Sequence, residues 1–299
     1  MMTWYYINKI SKLSLKDITK KMKRRYLGNW LYHKPVLKYL RHNYLSTCEE
    51  VISRPEVYNE TKDFYVWVMW WQGEQKMPEI INICYHSIIA VSEGCKLCLI
   101  TKENVGKYLN IPIHIWKKYE QGIIPIAQLS DIIRFGLLSR YGGIWIDSTT
   151  LITNYNLIKL RNQFFTLKFK TRSQSTPTMG RWSITVLAGN QGCILYKTMY
   201  HILIEYWRKE NYLLKYFLTD YFILLLYNEF PQIKDLIDKV EWSDSNYTLR
   251  KHINKKYNQN FWNTLIRNTY FHTLSRKERY SEMINNSFTF YGYLKKNLI

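Results

Sequence analysis

Asp131, Arg134 and Asp147 fall close together in the run LSDIIRFGLLSRYGGIWIDSTT, residues 129–150. Asp131 and Arg134 are three residues apart, a spacing that puts both on one face of a helix. In isolation such a pair is more often a surface salt bridge than a binding pair. Asp147 is different, because it closes a short apolar strand, residues 144–146. Burying a carboxylate costs several kcal/mol unless a cation, a donor or a metal meets it, so a strand that finishes on Asp belongs at a cleft. Upstream, Trp70, Trp71, Gln72 and Gly73 follow another apolar run. Tryptophans stack on rings, carboxylates accept from hydroxyls or meet a divalent cation, and an arginine pairs with negative charge. Together these residue types suit an anionic ligand that bears hydroxyls.

The elements that must position them are legible in the pattern. Leu129, Ile133, Leu137 and Tyr141 recur at helical spacing, and Gly142 and Gly143 stop that helix before the strand. From Asp63 onward, strands alternate with helices: a strand at 64–70, a helix at 78–91 opened by Pro78, a strand at 96–101 and a helical segment at 103–109. Such alternation predicts an α/β domain with a largely parallel sheet, whose ligands bind beyond the carboxyl ends of the strands. Trp70 to Gly73 and Asp147 both sit at such ends. Beyond residue 150 come strands at 164–169 and 184–188, a polar loop at 171–180, helices at 193–208 and 213–230, and a mixed, basic segment at 241–299. Within that last segment FHTLSRK, residues 271–277, sets His272 beside basic residues able to fold back over the cleft, although a satisfied surface histidine is the commoner case.

The chain has 299 residues, 46% of them hydrophobic, enough to bury the core of one large domain or of a domain with an appendage. Its formal charge of +20 predicts attraction to polyanions, whether nucleic acid, anionic lipid or phosphorylated small molecules. The longest apolar runs, 64–71 and 221–227, fall well short of the roughly 20 residues of a membrane span, and the first residues lack the order of a secretory signal. A cytoplasmic location is therefore expected. Cys48, Cys84, Cys95, Cys98 and Cys193 are odd in number and read as free thiols; Cys95 and Cys98 form a lone CxxC inside a strand, with no second pair and no following helix. Residues 1–55 form a basic, helical region ahead of the main domain at 56–299, with lysines such as Lys9, Lys12 and Lys16 interleaved with Trp4, Tyr5, Tyr6 and Ile10. That mixture suits a helix on an anionic membrane surface, each basic residue adding on the order of 1 kcal/mol. The plainer alternative is a solvated helix packed on the main domain.

The ordered run SDxxR, an apolar spacer and GGxWxDxT resembles the signature of A-type-fold glycosyltransferases with a DXD-like motif. It is most similar to the capsular polysaccharide synthesis proteins and, more distantly, to glucosylating bacterial toxins and mannosyltransferases of the sugar-binding DXD superfamily. The segment VWVMWWQGEQKMPEIINICYHSI, from Val66, resembles the first strand and helix of the same proteins. The likeness covers about residues 63–190 and is weak toward both ends. It implies a Rossmann-like mixed sheet flanked by helices, with helical additions at either end. It also implies transfer of a sugar, with retention of configuration, from a nucleotide sugar, UDP-linked, to a lipid-diphosphate-linked saccharide. The setting would be capsule or extracellular polysaccharide assembly, peripheral at the inner face of an anionic membrane.

By position, the resemblance implies that Trp70 lies against the base, with Gly73 in the turn beside it. Ser130, Asp131 and Arg134 would hold the donor sugar and phosphates, Trp145 would face the nucleotide, and Asp147 would sit near the ribose and a Mn²⁺ or Mg²⁺ ion. The last position of the motif is Thr149 rather than an acid, a much weaker ligand for a hard cation. A metal would thus rest on Asp147, Thr149 and a residue from the chain's end such as His272, while Arg134 and Lys277 steady the leaving diphosphate. Asp220, in TDYF, is a candidate acid on the acceptor side, although a capping or surface role is commoner for such a residue. Two other readings stand beside this one: a sugar-phosphate transferase on the same scaffold, and a basic nucleic-acid-binding protein. Against the latter, the chain has no zinc finger, RNA-recognition motif or basic helical reader, and the acid-ended strand repels phosphate, so no specific nucleic acid is expected.

Overall fold

The computed structural model describes residues 29–59, 61–170 and 176–298. Two expectations fall partly outside them: the membrane-surface helix as far as it rests on residues 1–28, and the polar loop at 171–175. In chain order the elements are α1 (Asn29–Ser53), β1 (Tyr65–Met69), α2 (Glu79–Ala90), β2 (Lys96–Ile100), α3 (Val105–Tyr108), α4 (Ile113–Glu120), α5 (Ile126–Tyr141), β3 (Gly143–Ile146) and β4 (Thr150–Ile152). They continue with β5 (Phe165–Thr166), β6 (Val186–Gly189), α6 (Ile194–Lys209), α7 (Leu218–Glu229), α8 (Pro231–Asp238), α9 (Thr248–His252), α10 (Gln259–Asn268), β7 (Phe271–Thr273), β8 (Met283–Ile284), β9 (Ser287–Phe288) and α11 (Phe290–Leu298).

Five strands form one mixed sheet in the order β2-β1-β3-β6-β5. β1 runs parallel to both β2 and β3, while β6 is antiparallel to β3 and to β5. This is the Rossmann-like mixed α/β architecture that the resemblance implies; the alternating pattern predicts a largely parallel sheet, and the antiparallel pairings of β6 with β3 and with β5 depart from it. β1 is apolar at all five positions because helices cover both its faces. Val66 and Val68 join Ile144, Ile146 and the α2 residues Tyr85 and Ile88 on one face. Trp67, Met69 and Trp145 join Leu129, Ile132 and Ile133 of α5, with α6 and α7 behind, on the other. Because β2 and β3 flank β1 on opposite sides, the strand order reverses there, and a crevice opens past the carboxyl ends of β1 and β3.

The glycine pair that ends α5 is required by close approach. Gly142 and Gly143 have φ of +67° and +92°, and a Cβ on Gly143 would lie 2.3 Å from the Tyr65 carbonyl oxygen of β1. Pro78, expected inside the first turn of α2, instead precedes it as the N-cap. α1 is no detached arm in its described part: Val36, Leu40, Tyr44 and Cys48 are buried in the same core as α6 and α7. The other end of the chain returns to the middle, since β7 pairs antiparallel with β4 and sets His272 opposite Leu151. The five cysteines are free, and among the described residues no helix is long and apolar enough to cross a membrane.

Candidate active site

The crevice at the strand reversal is a cavity of about 1140 Å³. Its floor is an ionic cluster built by α5 and the end of β3. Arg134 is buried and donates to Asp131 Oδ1 and to Asp147 Oδ1, both at 2.7 Å. Trp145 Nε1 donates to the same Asp147 oxygen at 2.8 Å, and the guanidinium lies 4.9 Å from the Trp145 ring centre. Asp131 accepts at Oδ2 from Thr219 at 2.6 Å and from Gln128 Nε2 at 3.2 Å. Burial pushes the Asp131 carboxyl above its ordinary range, although Arg134 and Thr219 pull the other way. The cluster is not satisfied within itself, for Gln128 Oε1 and Arg134 Nε are buried without a partner among the described residues. Asp147, by contrast, is only partly buried, and its Oδ2 has no partner among the described residues.

The walls come from distant parts of the chain. Trp70, Trp71 and Gln72 follow β1, and Ser148 and Thr149 follow Asp147. Tyr216 and Phe217 lead into α7, Thr219 and Asp220 lie in its first turn, Tyr247 and Lys251 come from α9 and its approach, and Arg276 follows β7. Arg276 reaches the cleft because Leu274 N donates to the Thr149 carbonyl at 2.9 Å, which seats the segment after β7 beside the end of β3. Its guanidinium stands 6.0 Å from the Trp70 ring centre. Lys251 and Arg276 have no carboxylate partner among the described residues, so the cavity lining carries positive charge that the acids do not neutralise directly. Asp220 accepts from Trp182 Nε1 at 3.0 Å, and burial raises its carboxyl to about 7.

Of the residues expected here, Trp70, Ser130, Asp131, Arg134, Trp145, Asp147 and Thr149 all line the one cavity. Trp145 is 1% exposed, so its part is to hold Asp147 and carry Arg134 rather than to offer a face to a ligand. Gly73 does not line the cavity; at φ +85° it forms the turn that follows Trp70. His272 is a clearer correction. It is fully buried in β7, its Nε2 lies 2.9 Å from Thr153 Oγ1, and it lines no part of the cleft. Burial lowers its pKa to about 4. Lys277 is likewise off the wall, its place taken by Arg276 one residue earlier. Asp220, ranked as a cap or surface residue, is instead a cavity wall.

These positions decide how a divalent metal fits. Among the described residues no three His, Cys, Asp or Glu side chains gather to hold an ion. Asp147 Oδ2, with Thr149 nearby, offers one hard oxygen, which matches a cation that keeps most of its ligands from substrate phosphate and water rather than one in an all-protein cage.

Fold and cleft thus define an α/β protein with a ligand crevice at a topological switch point, floored by acids and walled by aromatics and free cations. The family follows from comparison: that of the capsular polysaccharide synthesis proteins matches residues 16–294, and the chain belongs to it. The match runs well past the 63–190 block in both directions, so α1 and the elements that close the cleft belong to the family's own design. No curated protein and no solved structure matches the chain.

Proposed function

We propose that this chain is a glycosyltransferase that moves a sugar from a nucleotide sugar, UDP-linked by resemblance, to a saccharide acceptor on a lipid diphosphate. The observation that carries the reading is the convergence of Asp131, Arg134 and Asp147 on one cavity that Trp70 and Arg276 also line. A nucleotide sugar has a base for Trp70, a diphosphate for Arg276 and Lys251, and hydroxyls for the open oxygens of Asp147 and Asp220. The volume exceeds the roughly 300–1,000 Å³ of a single small-molecule site, which leaves room for an acceptor.

In the reaction the acceptor hydroxyl bonds to the anomeric carbon as the bond from that carbon to the diphosphate oxygen breaks. The electron pair stays on the diphosphate, and the acceptor's proton leaves with it, in keeping with retained configuration. The protein's contribution is positioning and preset charge: Arg276 and Lys251 meet the leaving diphosphate, while the Arg134 cluster holds Asp147 rigid. A Mn²⁺ or Mg²⁺ ion on Asp147 and Thr149 would add positive charge at the leaving group. The surplus of 43 basic over 23 acidic residues favours work beside an anionic inner membrane face, where a lipid-linked acceptor resides.

The test is thermal stabilisation by uridine diphosphate together with transfer assays on Asp147→Asn. Uridine diphosphate should raise the melting temperature, and Asp147→Asn should fold normally yet lose transfer. Near-normal turnover in that variant would overturn the assignment. A product that keeps the donor's phosphate would move it to sugar-phosphate transfer. Stabilisation by DNA that survives moderate salt would favour the nucleic-acid reading.

A further inference from the structure

β8 and β9 form a hairpin that projects from the cleft-closing part of the chain. Asn285 and Asn286 make its two-residue turn, both in the left-handed region at φ 46° and 57°, where asparagine is tolerated best after glycine. Met283 pairs with Phe288, and Ile284 with Ser287. Directly paired residues share a face of the ladder, so Met283 and Phe288 stand side by side while Ile284 points to the opposite face. All three are exposed, at 48%, 40% and 43%. A single exposed apolar residue needs no explanation, but three large ones on a six-residue tip do.

The charges around the hairpin indicate what covers it. Its base is pinned to the segment after α9: Tyr257 N donates to the Phe288 carbonyl at 2.8 Å, Phe290 N to the Lys255 carbonyl at 3.1 Å, and Lys256 bridges to Thr289. Asn254 Nδ2 donates to the Arg279 carbonyl at 2.8 Å. These ties gather Lys255, Lys256, Arg279 and Lys296 about the stem, with Lys296 Nζ 5.4 Å from the Phe288 ring centre. The nearby acids are already taken, Glu278 by Arg250 at 2.6 Å and Glu282 by Lys295 at 2.5 Å. The four cations have no acidic partner among the described residues.

We infer that β8–β9 is a membrane-docking hairpin, which inserts Met283, Ile284 and Phe288 at the headgroup boundary of an anionic bilayer while Lys255, Lys256, Arg279 and Lys296 meet lipid phosphates. A second copy of the chain is the poorer occupant, because it would bring the same basic collar against itself. The hairpin is tied by short stretches of chain to two residues that line the cleft, Lys251 in α9 and Arg276 in the segment that follows β7. Docking therefore fixes the cleft close to the lipid surface. The inference rests on the hairpin and stands apart from the chemistry proposed for the cleft.

The test uses the full chain, so that residues 1–28 contribute equally to every variant. Binding is measured by co-sedimentation with vesicles of phosphatidylcholine containing one-third phosphatidylglycerol, and with phosphatidylcholine alone. Wild type should prefer the anionic vesicles. Met283→Ser/Ile284→Ser/Phe288→Ser and, separately, Lys255→Gln/Lys256→Gln should each weaken that binding on the order of tenfold, with melting temperature unchanged. Equal binding by wild type and the triple variant, or no binding by wild type, overturns the inference. So does a triple variant that changes only from dimer to monomer, which would mark the hairpin as a self-association face. Loss of vesicle binding with stabilisation by uridine diphosphate intact separates this hairpin from the cleft.

Discussion

Asp220→Asn should stabilise the protein, by an amount that grows with pH. The side chain is buried in the first turn of α7, and one oxygen accepts from the Trp182 indole. Burial raises its carboxyl from the ordinary 3.8 to about 7, with Asp131 pushing the same way and Trp182 and Arg134 opposing. The unfolded chain ionises this group near 3.8 and the folded protein near 7. Stability from this residue is therefore complete below the lower value and is lost as pH rises through the upper one. A gap of about three pH units at about 1.4 kcal/mol each is a loss of about 4 kcal/mol by pH 8. Asparagine keeps an oxygen for the indole but carries no charge. The variant should match wild type near pH 4, exceed it by about 1–2 kcal/mol at pH 5, and by about 4 kcal/mol at pH 8, on the order of 10 °C in melting temperature. Thermal unfolding of both proteins across that range reads the effect directly. A difference that does not change with pH, or a variant less stable than wild type at pH 8, would refute the reasoning. Turnover should fall in the same variant, since an acid kept at such a cost on a cavity wall is one the site uses.

Arg134→Met should cost about 3–5 kcal/mol, because it leaves the buried Asp131 and the partly buried Asp147 without their shared cation; a second change, Asp131→Asn, should recover part of the loss, and thermal unfolding of single and double variants tests both. His272 gives the opposite pH signature to Asp220. Burial holds its ring at about 4 against an ordinary 6.5, so its contribution is present above 6.5 and is lost as pH falls through 4, about 3 kcal/mol in all. His272→Gln, which keeps a bond to Thr153, should flatten that acid loss, and an unchanged acid transition would count against it.

The part of the site legible in the sequence is the part written in consecutive elements. Helical spacing through Tyr141, two glycines and an apolar strand ending on Asp147 specify local geometry, and α5, β3 and the Asp131–Arg134–Asp147 contacts follow from it. The misreadings concern residues whose surroundings come from far away. His272 looked available because nothing near it in the chain says that β7 pairs with β4 and buries it. Lys277 and Arg276 are equivalent by type, and only the register set by Leu274 on Thr149 decides which reaches the cleft. Asp220 sits in an apolar helix whose orientation is a tertiary matter, so neither its cavity face nor its Trp182 partner could be read locally. Gly73 was right as a turn residue but not as a wall, since its backbone serves the turn after Trp70.

The pairing of β4 with β7 has a consequence for the order in which the protein becomes competent during synthesis. The acids and the arginine are complete by residue 147, yet Arg276 and the strand that seats it come well over a hundred residues later. A nascent chain that has emerged only as far as α8 carries the residues of the charged floor but neither Lys251 nor Arg276, the two cations besides Arg134 that line the cavity among the described residues. The sequence order thus delivers the floor long before its last cation, and a product truncated before residue 270 would lack Arg276 and the strand that seats it.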